Sequence, residues 1–363
     1  MSNQLNFSGG PGALPASVLR QAQEAIAALP ETGISVLGMS HRSAWFRGVL
    51  DEAEANLRAL LDIPAGYHVL FLQGGGSLQF SMLPMNFLRG TGKAADYIVS
   101  GYWSAKTPIE ARLEGPVRIV WDGQSDGFRR LPHADELALS PDAAYLHYVA
   151  NETVEGLEFQ GIPGLAGVPL LCDMSSNLLA APIDVARYDV IYAHAQKNLG
   201  PSGVTLVILR DELAQRGAPG LPSLLDYRSH IAARSIYNTP PVFAIYVLML
   251  VTRWLCDEVG GLEAMAALNR TKAATLYAAI DAAPDFYRGH AERSFRSTMN
   301  AAFRLPDPAT ETLFLEAARR EGFYGLEGHR SLGGVRASLY NAVTLEAVHT
   351  LAEWMTDFAR RRG

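Results

Sequence analysis

Cysteine is nearly absent, with two in 363 residues, Cys172 and Cys256. Both stand in apolar segments and neither belongs to a paired ligand spacing. That excludes a disulfide framework and a cysteine-based metal site, and no metal is expected; a reducing compartment, the cytoplasm, is the simplest setting. Excess positive charge is missing too. The net charge is -6, and without a Lys/Arg block the chain offers no electrostatic footprint for nucleic acid or an anionic membrane. Long hydrophobic runs are lacking as well: VFAIYVLMLV (242–251) has ten residues, against the roughly 20 a bilayer span needs. It reads as a buried helix. At the N-terminus MSNQLNFSGGPGALP has neither a basic start nor an apolar core, so no signal peptide is expected.

What is present is a globular composition, 48% hydrophobic and 19% charged, in a chain long enough for about two domains. Apolar runs at HVLFL (68–72), YIVS (97–100), VRIVW (117–121), AYLHYV (144–149), PLLC (169–172), DVIYA (189–193) and VTLVIL (204–209) alternate with amphipathic segments. They predict an α/β fold with a mostly parallel seven-stranded sheet covered on both faces. Pro15 opens a predicted helix with Leu19, Ala22, Ile26 and Leu29 as its core face, and a second carries Leu50, Ala53, Leu57, Leu60 and Leu61. After about residue 257 the pattern changes to long helices around STMNAAFRL (297–305), then VRASLY (335–340) and a helix from Thr344 bearing Leu345, Val348, Leu351, Met355 and Phe358. This predicts a smaller α+β domain. Arg360 to Arg362 suit the negative end of that last helix.

The chemistry concentrates at strand ends. AHAQKNLGPSG (193–203) puts Lys197 at the exit of an apolar strand and before a Gly/Pro turn, in the crevice where α/β sheets bind ligands. PLLCD closes on Asp173. A buried carboxylate is expensive without a partner, and burial lowers a lysine's pKa and makes it a better nucleophile. A lysine and an aspartate at neighbouring strand ends are what pyridoxal 5'-phosphate (PLP) requires, an amine to form a Schiff base and an anion to keep the pyridine nitrogen protonated. QGGGSLQF (73–80) follows a strand and opens a helix, so Gly74, Gly75, Gly76 and Ser77 can present N–H groups to a phosphate. A plain tight turn explains such a stretch equally well when it stands alone. Trp103 in SGYWSAK is placed to stack on a cofactor ring or to pack in the core, and Thr153 in ANETVEG has a hydroxyl at a strand end.

Taken together, NFSGGPGALP (6–15), SHR (40–42), GGGSLQF, GYW, NETVEG, CDMSS, AQKNLGPSG, YNTPP (237–241) and GHRSLGGVRASLYNA (328–342) strongly resemble the phosphoserine aminotransferase family, class V aminotransferases of PLP fold type I. The resemblance covers nearly the whole chain. It implies a large PLP-binding domain at 16–256 and a small domain from 1–15 and 257–363. It implies Lys197 as Schiff-base lysine and general acid/base and Asp173 on the pyridinium. Gly76, Ser77 and Gln196 would lie at the cofactor phosphate, Trp103 would stack on the ring, and Thr153 would bond its oxygen. Asn238 and Thr239 would reach the phosphate from the other subunit of a homodimer. Arg336 would clamp the substrate α-carboxylate, a task for its planar fork, and Ser8, His41, Arg42, His329 and Arg330 would surround the rest of the substrate. Some family members carry arginine where this chain has Ser77, and relatives carry serine or alanine where it has Gly9. His194 replaces a residue more often small and receives no role. The implied reaction is ping-pong transamination of 3-phosphohydroxypyruvate with L-glutamate, giving O-phospho-L-serine and 2-oxoglutarate in serine biosynthesis. Whether a longer phosphorylated oxo acid of vitamin B6 synthesis is also a substrate stays open. A cysteine desulfurase would need a mobile nucleophilic cysteine, and a scaffold without catalysis would have little use for Lys197, Asp173, Thr153, Trp103 and Arg336 together.

Overall fold

Seven apolar runs become the strands of one sheet: β1 (Tyr67–Leu72), β2 (Ala95–Val99), β3 (Val117–Asp122), β4 (Leu146–Val149), β5 (Leu170–Asp173), β6 (Val190–His194) and β7 (Thr205–Arg210). The computed structural model describes residues 5–362; residues 1–4 and 363 of the expected small domain lie outside the described residues. In the sheet the order is β1-β7-β6-β5-β4-β2-β3. Neighbours from β6 to β3 pair parallel, while β7 runs antiparallel to both β6 and β1. Alternate residues of each strand serve two different cores, as the two-residue period requires. Val69, Phe71, Ile191 and Ala193 point to one face, and Leu70, Leu72, Val190 and Tyr192 to the other. Burial on both faces is why these strands read as unbroken apolar runs.

The first face is covered by α1 (Ala16–Ala27) and α2 (Ala44–Leu61), the second by α3 (Gly75–Phe87). The apolar run at 242–251 lies within α4 (Val242–Trp254), buried against the first face. In α1 the predicted core face is corrected. Val18, Ala22 and Ala25 are buried, whereas Leu19 and Ile26 are 38% and 43% exposed. The alanines let α1 approach α4 closely, which turns the larger Leu19 and Ile26 outward. Among the described residues no helix is long and apolar enough to cross a membrane.

A second core gathers Phe7 and Ala13 with side chains of α5 (Leu262–Asp281), α6 (Pro308–Arg320) and α7 (Leu345–Arg362). Its sheet is antiparallel: β8 (Arg288–Gly289), β9 (Asn300–Arg304) and β10 (Val335–Ser338) in that order. The strand predicted from 297 starts at Asn300, because the Ser297 hydroxyl accepts the Met299 and Asn300 N–H groups and holds a turn there. α5 belongs to both cores, with Leu262 and Met265 in the first and Ala273, Leu276 and Ile280 in the second. The N-terminal segment is stitched to the second unit, since Phe7 N–H donates to the Tyr324 carbonyl and Ser338 N–H to the Phe7 carbonyl.

Candidate active site

β5 ends in Asp173, and its parallel neighbour β6 ends in His194, three residues before Lys197. Both charged groups are nearly sealed, Asp173 at 5% and Lys197 at 6% exposure. One Asp173 oxygen accepts the Ser175 N–H at 2.7 Å. Burial pushes its pKa up, with Ser175 and Lys197 pulling the other way. Lys197 Nζ donates to Thr153 Oγ1 at 2.6 Å, Thr153 donates to Ser176 Oγ at 3.0 Å, and Ser176 donates to the Asn151 carbonyl at 2.8 Å. The relay ends on a backbone acceptor, so the Thr153 oxygen is kept facing the amine. Burial lowers the Lys197 pKa to about 8, assisted by Arg336 and opposed by Asp173 and Glu152.

The glycine stretch closes the other side. Gly74 and Gly75 have φ of 93° and 68°, a left-handed region that favours glycine, and this sharp turn starts α3 directly behind β1. At Gly76 a Cβ would stand 3.1 Å from His194 Cδ2 and 3.7 Å from Asp173 Oδ2; the missing side chain is what leaves the recess open. Gly75, Gly76, Ser77, Trp103, Thr153, Asp173, Ser175, His194, Gln196 and Lys197 line a cavity of about 520 Å³ including its mouth. The Trp103 ring centre lies 5.9 Å from Lys197 Nζ. Its loop is fixed by the fully buried Glu152, whose two oxygens accept the Trp103 and Ser104 N–H groups at 3.1 and 2.9 Å.

Arg336, on β10, brings the second unit close enough to act on Lys197. Its guanidinium lies over Gly9, where any Cβ would collide with Nη2 and Cζ, and Tyr340 donates to the Gly9 carbonyl at 2.9 Å. Next in the chain, Gly10 approaches the Lys197 side chain and Gly12 N–H donates to the Gln196 carbonyl at 2.7 Å. Arg336 Nε is buried without a hydrogen-bond partner among the described residues. Glu155, also buried, has its pKa raised to about 8 by burial and by Glu152, with Arg336 opposing, and one oxygen accepts the Tyr102 N–H at 3.0 Å. The His329 ring meets the Tyr102 ring at 4.5 Å, Lys106 Nζ lies 4.3 Å over that ring's centre, and Lys106 and Arg330 hold the Tyr102 phenol pKa below the usual tyrosine value.

Within one chain not every predicted residue converges. Ser8 packs on Gly325 and its N–H donates to Asn6 Oδ1; it does not line the cavity. His41 and Arg42 precede α2 and are not among the lining residues either. Asn238 and Thr239 are exposed and held by Gln73, whose amide donates to Thr239 O at 2.9 Å and Asn238 Oδ1 at 3.4 Å. The sequence reading missed Glu152, Glu155, Ser176 and Lys106, although the first three lie inside NETVEG and CDMSS. The signal available was polarity inside an apolar context.

Comparison with known proteins meets this geometry. The family model for Aminotransferase class-V matches residues 4–351. This chain belongs to the class V aminotransferase family. A phosphoserine aminotransferase of Laribacter hongkongensis is 49% identical over 358 residues, covering 99% of each chain, and one of Geobacillus kaustophilus is 48% identical over 361 residues, again 99% of each. Among solved structures, a phosphoserine aminotransferase from Bacillus circulans subsp. alkalophilus superposes with a TM-score of 0.96 at 46% identity over 99% of both chains. A PLP-bound phosphoserine aminotransferase from Trichomonas vaginalis gives 0.91 at 38% identity, covering 97% of this chain and 99% of the other. In this class V aminotransferase Cys172 is fully buried with its thiol pKa pushed well up, and burial raises that of Cys256. Neither is the exposed, low-pKa thiolate that a desulfurase would need.

Proposed function

We propose that the chain uses pyridoxal 5'-phosphate to transfer the amino group of L-glutamate to 3-phosphohydroxypyruvate, giving O-phospho-L-serine and 2-oxoglutarate. The observation that carries this reading is the meeting of Lys197 and Asp173 at one cavity, with Arg336 close enough to act on Lys197, in a chain whose full-length relatives are phosphoserine aminotransferases. The residues fit the cofactor. Asp173 is a buried anion whose raised pKa calls for a cationic neighbour, Gly76 leaves a cradle that a Cβ would fill, and Lys197 offers an amine partly uncharged near neutrality. When bound, pyridoxal phosphate supplies the electron sink that makes the substrate's Cα–H acidic.

Around it the protein binds, orients and moves protons. Asp173 would hold the ring nitrogen protonated. Gly76, Ser77 and Gln196 would receive the phosphate, the first two at the positive end of α3, while Trp103 packs on the ring and Thr153 turns its hydroxyl to the ring oxygen. Lys197 Nζ is the base placed to take the Cα proton. Arg336, with an orphaned buried N–H, would take the carboxylate common to both substrates in a bidentate grip. His329 and Arg330 stand on the same side as the Tyr102 loop and suit the distal anion, phosphate or carboxylate. Ser8 would assist beside Arg336.

His41, Arg42, Asn238 and Thr239 do not line their own cavity, which supports a homodimer in which each subunit lends them to the other. The two cores support a large unit, 16–256, and a small one built from the N-terminal segment and 257–363, with α5 joining them. Phosphoserine formation belongs in the cytoplasm, the setting we assign. The test is the absorbance spectrum of purified protein before and after O-phospho-L-serine, with L-alanine as control. A cofactor band converted by phosphoserine alone supports both cofactor and anion selectivity. Equal conversion by alanine removes the His/Arg assignment, and no band after adding pyridoxal phosphate removes the enzyme reading.

A further inference from the structure

His194 is a polar cavity-lining side chain to which no task has fallen. It ends β6, opposite the glycine turn, and its Cδ2 is the nearest atom to the place a Cβ on Gly76 would occupy, 3.1 Å away. The Cδ2 corner of the ring therefore faces the cradle. The other nitrogen, Nδ1, is buried with no hydrogen-bond partner among the described residues. A dry nitrogen without an acceptor is better left unprotonated than made a stranded donor, so the ring's proton belongs on Nε2. That puts an N–H donor on the cavity wall beside Gly76 and Gln196.

We propose that His194 is a further ligand of the cofactor phosphate, donating from Nε2 into the cradle of Gly75, Gly76, Ser77 and Gln196. This rests on the pyridoxal phosphate reading of the cavity. The other groups at that end of the lining are backbone N–H groups, hydroxyls of Ser77 and Ser175 and the Gln196 amide, and Lys197 is the only cation among the lining residues. A dianionic phosphate here relies on neutral donors, so each one weighs on its affinity. Burial and the nearby Lys197 hold the His194 pKa down to about 3, so the ring meets the phosphate as a neutral donor.

The experiment compares pyridoxal phosphate with pyridoxal, which lacks the phosphate, binding to cofactor-stripped full-length protein by equilibrium dialysis. It uses the wild type, His194→Ala and His194→Gln. The expected result is an approximately tenfold weaker Kd for pyridoxal phosphate in His194→Ala, an unchanged Kd for pyridoxal, and recovery in His194→Gln, whose amide N–H can take the place of Nε2–H. Unchanged pyridoxal binding also certifies the fold of the variant. Equal weakening toward both ligands would make His194 a packing residue and overturn the proposal, as would no change toward either. A wild type that binds neither compound removes the cofactor reading itself, a different failure.

Discussion

Lys197 gives the sharpest prediction, because its pKa is set by groups that can be removed one at a time. Burial brings it from 10.5 to about 8, with Arg336 lowering it further and Asp173 and Glu152 pushing back. At pH 7 the uncharged fraction of such an amine is about one in ten, roughly 300-fold more than for an ordinary lysine. Only the uncharged amine attacks a carbonyl carbon, so the second-order rate of pyridoxal phosphate capture by stripped protein should rise with pH and level off above about 8. The cofactor phosphate titrates near pH 6, far enough below to be separated. Asp173→Asn removes a charge that stabilises the ammonium, and the midpoint should fall by about one unit. Arg336→Gln removes a charge that destabilises it, and the midpoint should rise. Stopped-flow absorbance across pH 6 to 11 reads all three midpoints, whatever the variants do to the plateau rate. A wild-type midpoint near 10, or shifts of the same sign in the two variants, would refute this account of how the cavity tunes its nucleophile.

Mixing Lys197→Ala with Arg42→Ala should restore activity, because each mixed dimer holds one site with both residues intact; random exchange gives about a quarter of wild-type sites. Persistent inactivity after exchange, followed by a steady-state assay, would place Arg42 outside the shared site. Arg336→Ala should raise KM for both glutamate and phosphohydroxypyruvate; a selective effect would contradict a shared carboxylate grip. Lys272 is fully buried and donates to the carbonyls of Leu339, Tyr340 and Val343 at 2.9, 2.9 and 3.0 Å. Lys272→Met should cost about 3–5 kcal/mol in urea unfolding by orphaning those acceptors. At Gly156, with φ of 72°, a Cβ would stand 2.5 Å from the Asn300 carbonyl oxygen. Gly156→Ala should lose roughly 1–2 kcal/mol from the left-handed backbone alone and more from the collision, visible as a lowered Tm.

The sheet was legible because its strands are buried on both faces, which leaves unbroken apolar runs such as VTLVIL. Lys197 and Asp173 were legible for a related reason, as charges set where such runs stop. The α1 stripe was harder. Val18, Ala22 and Ala25 follow a helical spacing as well as Leu19, Ala22 and Ile26 do, and close approach to α4 chose between them. Hydrophobicity alone favours the larger residues, whereas packing distance favours the alanines.

Long-range approach hid the rest. Nothing local in NFSGGPG tells that Gly9 has no side chain because the Arg336 guanidinium occupies that place, an encounter between positions at opposite ends of the chain. The acidic residues of NETVEG carry the same lesson. Thr153 could be read for its chemistry, since its hydroxyl faces an amine, but Glu152 and Glu155 act on backbone N–H groups of the Trp103 loop. A buried carboxylate that accepts several N–H bonds fixes a loop by removing its alternatives, because letting go would leave both charge and donors unpaired in a dry interior. The motif therefore works as one device: the threonine orients the lysine while the flanking acids hold the aromatic residue that faces it.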